Sequence, residues 1–352
     1  MNNAFKQVEL TVHKLKYRHV LASELRRAWY FFKLLARQNV GTDKNFFTSD
    51  AAVKLSRGVL PQGVKITCSG RADGIGMQAL TRMSTISFAK AFGATYVHSP
   101  FTDIDHSDGD PEEWVSSWER FFNFGKGEEV VTDRHSVIDY ADYLTGKEKL
   151  TENSVLRFQQ CWYFTRRYPN SFLDVRDLFR KKMGLSEQPG DTLSVAVHVR
   201  RGDVGQESNS LRFTPNSKIL QTIKCLKEAA ALANTRLSIA VFSQGSKDDF
   251  QEFVELGCSL HLDTDALDTL RGLIESDILV MSKSSFSYVA ALYNNGVVIY
   301  EPTFNPALDG WLIKSPDGSV DPKLVADRIK KHIAQSPAPA LAKSAAMTPV
   351  IA

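Results

Sequence analysis

The 352 residues are 43% hydrophobic and 24% charged, an ordinary globular balance with enough apolar material for two cores. A formal net charge of +3 is too small to argue for the concentrated basic face that nucleic-acid binding usually needs, and it is compatible with anionic small molecules or a membrane surface. No run approaches the roughly 18 apolar residues that cross a bilayer. The polar amino terminus carries no secretory core, so a cytoplasmic protein is expected.

Residues 1–40 read as helix, with Gly41 ending it. Within it, residues 11–38 combine Lys14, Lys16, Arg18, Arg26, Arg27, Lys33 and Arg37 with Leu21, Leu25, Trp29, Phe31 and Leu34. Such a helix either packs on the main body, the commoner outcome, or rests on anionic lipid at the inner membrane. A short alternating strand follows at 64–68, then the glycine-rich turn Ser69-Gly70-Arg71-Ala72-Asp73-Gly74-Ile75-Gly76-Met77-Gln78. A helix over 79–92 is closed by Gly93, and a second strand runs over 94–98. Strand, glycine turn, helix and strand make a βαβ unit.

Residues 99–112 are turn-rich and acidic. Pro111 opens a helix whose Trp114, Trp118, Phe121 and Phe122 recur at helical spacing. Residues 151–183 read as helix, broken at Tyr168-Pro169-Asn170. The run Gln188-Pro189-Gly190-Asp191 punctuates the chain and marks a domain boundary. Four segments result: a basic helical segment (1–50), a first α/β domain (51–188), a second (189–335), and an Ala/Pro/Ser-rich tail (336–352) expected to be disordered.

The second domain opens with a strand over 193–199, followed by a polar loop (204–214) and a helix over 216–232. Strands at 237–242, 259–262, 277–281 and 297–300 alternate with helices near 247–256, 266–275 and 286–293. This alternation predicts a parallel sheet with right-handed crossovers. Cys68, Cys161, Cys225 and Cys258 stand far apart with no metal-ligand spacing, so buried free thiols are expected.

Four strand ends are candidates for chemistry, each with a plainer structural alternative: the glycine turn at 70–78, either a phosphate cradle or an ordinary tight turn, and three in the second domain. At the first of those three, the buried strand runs into His198-Val199-Arg200-Arg201-Gly202-Asp203. Strands of an open α/β sheet end at the crevice where ligands bind. Paired guanidinium groups there suit a pyrophosphate, because arginine offers fixed, forked donors and keeps its charge. At the second, His261, Asp263, Asp265 and Asp268 bind a metal or nucleobase, or supply helix caps; Asp268 lies inside the helix and is harder to explain as a cap. At the third, Ser282-Lys283-Ser284-Ser285-Phe286-Ser287 opens a helix, and its hydroxyl and amide groups suit a phosphate. No GxSxG, HExxH or GxxxxGK[ST] pattern is present, which argues against a serine hydrolase, a zinc protease and a P-loop ATPase.

His198-Val199-Arg200-Arg201-Gly202-Asp203 resembles the His-x-Arg-Arg-x-Asp strand end of the fucosyltransferase superfamily, in the form seen in the α1,2 enzymes. Residues 276–287, ending in Ser-Phe-Ser, are similar to a second region of that group. Gly74-Ile75-Gly76-Met77-Gln78 is similar to its Gly-x-Gly-Asn-Gln turn, with Met77 in place of the Asn. The resemblance covers about residues 64–98 and 190–303. It implies an α/β fold of the GT-B class, in which two Rossmann-like domains face each other across a cleft. It also implies an inverting, metal-independent transfer from GDP-fucose to a glycan or surface-polysaccharide acceptor, with no separate cofactor. The first domain would take the acceptor and the second the GDP-sugar. Arg200 would hold the β-phosphate and stabilise departing GDP. Arg201, Ser284, Ser285, Phe286, Gly74 and Gly76 would line the donor site, and His198 and Asp268 would contact guanine or its ribose. For the base that deprotonates the acceptor, Glu207 stands near the spacing of the α1,6 enzymes, with Asp203 and Asp73 as rivals. Another nucleotide sugar as donor, or a non-catalytic nucleotide-binding scaffold of the same fold, stand as alternatives.

Overall fold

The structure is a computed structural model and describes residues 60–335 except 62, 72, 108, 145, 160 and 186–191. The helix expected over 1–40, its basic stretch 11–38, the turn signal at 188–191 and the tail 336–352 therefore lie outside the described residues. The chain forms two compact units. One comprises residues up to Val175 with Phe304–Pro306; the other comprises Arg176–Thr303 and residues from Ala307 onward.

The first unit contains β1 (Lys65–Cys68), α1 (Ile75–Phe92), β2 (Thr95–His98), α2 (Pro111–Phe122), β3 (Glu129–Val130), β4 (Ser136–Asp139), β5 (Ser154–Phe158) and α3 (Trp162–Arg167). Its sheet runs β3-β2-β1-β5-β4 with all pairs parallel. Helix α1 is buried from Ile75 to Ala89 along most of its length and ends at Gly93, whose φ of 66° places it in the left-handed cap conformation. Helix α2 begins as its sequence dictates: Asp110 accepts from the Glu112 and Glu113 amides at 3.0 and 2.9 Å, and Pro111 occupies the first turn.

Residues 151–183 differ from the expected broken helix. Ser154–Phe158 is a central strand paired on both sides, and helix starts only at Trp162. A five-residue segment with only Val155, Leu156 and Phe158 apolar fits either element, and the sheet's need for a buried parallel strand decides it.

The second unit contains α4 (Arg176–Met183), β6 (Leu193–His198), α5 (Asn216–Ala233), β7 (Leu237–Ser243), α6 (Gln251–Glu255), β8 (Ser259–Leu262), α7 (Ala266–Glu275), β9 (Ile278–Val280), α8 (Ser285–Tyr293), β10 (Val297–Tyr300), β11 (Leu312–Ile313) and α9 (Pro322–Gln335). Helix α4 packs here: Phe179 meets the Tyr293 ring at 5.8 Å, and Arg180 donates to the Tyr293 carbonyl at 2.7 Å. Strand β11 and helix α9 go beyond the elements expected from the sequence. Val325, Ala326 and Ile329 of α9 join the core beside Ile219, Ile223 and Leu226 of α5.

The second sheet runs β8-β7-β6-β9-β10-β11, all parallel. Counted within the unit, this is strand order 3-2-1-4-5-6, the doubly wound pattern, and its direction of growth reverses between β6 and β9. The alternating Val195 and Val197 of β6 are fully buried, as are Ile278 and Val280 of β9. At the amino ends of these two strands, Ser194 N and Oγ donate to Asp277 Oδ2 at 2.8 and 2.7 Å, and His332 Nε2 of α9 lies 3.1 Å from Oδ1. Gly296 passes so close to Asp277 that a Cβ there would collide with its carbonyl oxygen.

Two parallel-sheet, Rossmann-like units make this an α/β chain, as the GT-B expectation requires of each domain. All four cysteines are free and buried. Among the described residues, no helix is long and apolar enough to cross a membrane.

Candidate functional site

The carboxyl ends of β6 and β9 meet at the reversal of the second sheet, where an open α/β sheet forms its ligand crevice. After His198 the chain leaves the ladder, although the Val199 amide still donates to the Phe242 carbonyl at 2.9 Å. Gly202 then turns it back with φ of 74°, a conformation that favours glycine. A side chain there would also collide with Gln244.

Arg200 reaches across this reversal. Its Nη1 donates to Ser284 Oγ at 3.0 Å, while Nε and Nη2 donate to the two oxygens of Asp203 at 3.1 and 2.6 Å. The bidentate pair fixes the guanidinium plane. Ser284 is the N-cap of α8: its hydroxyl accepts the Phe286 amide at 3.2 Å. Ser285, half-buried in the first turn, makes no hydrogen bond through its hydroxyl to the described residues.

His198 Nδ1 lies 2.9 Å from Ser282 Oγ, and its ring stands 5.7 Å from that of Phe286. Burial first, and the Arg200 charge second, lower the imidazole pKa to about 3, so the ring is neutral at physiological pH.

Arg201 is used differently from its neighbour. Its Nη1 donates to the Arg200 carbonyl at 2.8 Å, and its Nη2 donates to the Thr214 carbonyl and Asn216 Oδ1 at 3.1 and 2.6 Å. Its guanidinium also covers the Phe213 ring at 4.5 Å. Apart from the Arg200 carbonyl, these contacts are to residues 213–216 after the arginine pair, so Arg201 braces that loop.

Sequence reasoning missed a cluster beside it. Glu301, just past β10, is buried and pairs closely with the buried Lys314; Lys283 Nζ lies 3.7 Å from its other oxygen. Thr214 Oγ1 is 3.5 Å from Glu301, and Lys283 Nζ is 3.5 Å from the Phe213 carbonyl. Burial lowers the Lys283 pKa; Glu301 opposes that shift, and Lys218 and Lys314 add to it. A carboxylate placed one residue after an apolar strand was the available signal for Glu301. Lys283 sat inside the Ser-rich motif, where only the hydroxyls attract notice. His198, Arg200, Thr214, Ser282, Glu301 and Lys314 line one pocket.

Other predicted residues lie elsewhere. Asp268 is exposed in the first turn of α7, which follows edge strand β8, two strands from β6; Asp265 is that helix's cap. Glu207 is exposed in the loop after Gly202. In the first unit, α1 begins at Ile75 rather than near 79, so Gly76 is a buried helical residue and Gly74 is the N-cap at φ of −62°. A Cβ on Gly74 would meet only His106, at 3.7 Å. Arg71 pairs with Asp73 at 2.6 Å, and Gln78 Nε2 donates to the Asp73 carbonyl at 2.9 Å. Among the described residues, no group of three or more His, Cys, Asp or Glu side chains is placed to hold a metal ion.

No protein-family model matches the chain, and no curated protein sequence matches it. Solved structures with some likeness include the NodZ α-1,6-fucosyltransferase of Bradyrhizobium soaked with GDP-fucose, at 14% identity and a TM-score of 0.37, covering 66% of this chain and 93% of that one. POFUT1 in complex with GDP is similar at 12% identity and a TM-score of 0.35, covering 67% and 95%. The E. coli heptosyltransferase WaaC with ADP is similar at 11% identity and a TM-score of 0.37, covering 76% and 100%. These values describe a distant likeness of chain layout and say nothing of ligand or activity.

Proposed function

We propose that this chain is an inverting glycosyltransferase that transfers fucose from GDP-fucose to a glycan or surface-polysaccharide acceptor, without a metal ion. The observation that carries the proposal is the Arg200–Ser284 contact at the reversal between β6 and β9. In such a transfer the bond from the sugar's anomeric carbon to the β-phosphate oxygen breaks, and charge grows on the departing diphosphate. A preformed cation aimed at that oxygen stabilises the transition state. Arg200, held in plane by Asp203, is the group for that task. Ser285 and the amide groups at the start of α8 add donors for the same phosphate.

Neutral His198 and the Phe286 ring beside it supply a flat, partly apolar surface for the nucleoside, with Asp268 as a further polar contact for base or ribose. The acceptor hydroxyl loses its proton as it attacks. Asp203 is occupied with Arg200, so Glu207, free in an exposed loop, is the better placed carboxylate.

Thermal-shift measurements with GDP, ADP and UDP test the proposal. Selective stabilisation by GDP is expected, together with slow release of fucose from GDP-fucose in water. A preference for UDP or ADP moves the donor to another nucleotide sugar. No response to any of the three sinks the transferase assignment.

A further inference from the structure

A nucleoside diphosphate leaves with at least two negative charges. Arg200 is already paired with Asp203, and one guanidinium so engaged does not balance that load. The sequence offered Arg201 as the partner cation. The structure commits Arg201 to three acceptors at 2.6–3.1 Å and to the Phe213 ring. Drawing it out would take the Arg201 donor from the Thr214 carbonyl and from Asn216 Oδ1.

Lys283 is held far more loosely. Its two contacts, to the Phe213 carbonyl and Glu301, are 3.5 and 3.7 Å long. Glu301 has a closer partner in Lys314, so it stays neutralised when Lys283 departs. Lys283 directly precedes Ser284, the hydroxyl that Arg200 touches, and Ser285, whose hydroxyl is uncommitted. An ammonium on a flexible four-carbon stem can move where a braced guanidinium cannot. Charge balance agrees: among the described residues, Arg200, Arg201, Lys218, Lys283 and Lys314 stand against Asp203, Asp249 and Glu301 in this cluster, which leaves a positive excess for an anion.

We infer that Lys283 is the second cation of the diphosphate site, its ammonium leaving Glu301 for the β-phosphate when a nucleoside diphosphate binds. The inference rests on the proposed GDP-sugar site and adds a phosphate-binding residue to it.

Titration calorimetry of the full chain with GDP and with GMP tests it, using wild type, Lys283→Gln and Lys283→Arg. GDP affinity should fall about tenfold or more in Lys283→Gln, GMP affinity should change less than about twofold, and Lys283→Arg should recover most of the loss. Equal losses for GDP and GMP would indicate a merely structural role and overturn the inference. Unchanged GDP binding by Lys283→Gln would overturn it too, leaving the transferase proposal standing. Wild type that binds neither nucleotide removes that proposal and the inference together.

Discussion

Arg200 and Ser284 meet through a single oxygen: Ser284 Oγ accepts Arg200 Nη1 at 3.0 Å and the Phe286 amide at 3.2 Å. One hydroxyl thus starts helix α8 and steadies the cation at the end of β6. Arg200→Ala should abolish GDP-induced stabilisation and lower donor turnover by about two to three orders of magnitude, while the unliganded melting temperature moves little. Turnover within a few-fold of wild type would show that Arg200 does not face the leaving group.

Arg201→Ala should behave in the opposite way. Losing the brace removes the Arg201 donor from the Thr214 carbonyl and from Asn216 Oδ1 and uncovers Phe213, a cost of about 2 kcal/mol. Melting temperature should drop, and Arg201→Lys should not restore it, because an ammonium cannot reproduce the fork. A fully stable Arg201→Ala that fails only in GDP binding would reverse the roles given to the two arginines.

His198 should stay neutral through the physiological range. Its folded pKa, lowered to about 3 by burial and then by Arg200, lies below the ordinary histidine value of about 6.5. The unfolded chain therefore takes up a proton first as pH falls. Its stabilising contribution is complete above about pH 6.5 and declines toward pH 3, by on the order of 1.4 kcal/mol per pH unit at most. The ring-proton NMR signals of His198 should not titrate between pH 5 and 8. A midpoint near 6.5 would contradict the geometry.

The Asp277 clamp gives a second acid-sensitive element at the opposite end of the sheet. Burial pushes this carboxyl up, but the contacts from His332 and Ser194 outweigh burial and hold it below the usual carboxylate range. A depressed acid contributes above its unfolded pKa, about 3.9, and loses that contribution as pH falls through the folded value. Asp277→Asn should cost about 2 kcal/mol at pH 7, and the gap to wild type should narrow below about pH 4. Chemical denaturation at pH 7 and pH 3 measures both. A gap that is constant across this interval counts against the clamp.

Gly296→Ala should be among the more damaging small substitutions. Its new methyl group meets the Asp277 carbonyl oxygen, which belongs to rigid backbone at the start of β9. Overpacking of this kind costs about 3 kcal/mol, roughly 6–12 °C in melting temperature for a unit of this size. Wild-type stability in this variant would mean that the β9–β10 junction is more pliable than drawn.

The second sheet was largely legible because its strands are alternating or continuous apolar runs bounded by turns. Val195, Val197, Ile239, Val241, Ile278 and Val280 all lie in its buried strands. The first sheet was less so. Val155, Leu156 and Phe158 form a run too short to separate strand from helix by periodicity, and the two-residue β3 carries no pattern at all. Adjacent residues of one motif were also read as one tool. Arg200 and Arg201 leave the strand in different directions, and only three-dimensional packing shows that one braces a loop. Glu301 stands 98 residues after Asp203, with nothing in the local pattern to join it to the arginine strand. Only the strand order, which sets β10 beside β9, brings it near.

The double use of Ser284 limits how this site can be altered. A residue at that position must accept from a backbone amide and from a guanidinium together, so threonine, asparagine and aspartate are the replacements that satisfy both. Attempts to redirect the protein toward a different nucleotide should therefore spare the sheet reversal. They belong at an outlying position such as Asp268, exposed in the first turn of α7, where Asp265 and not Asp268 caps the helix.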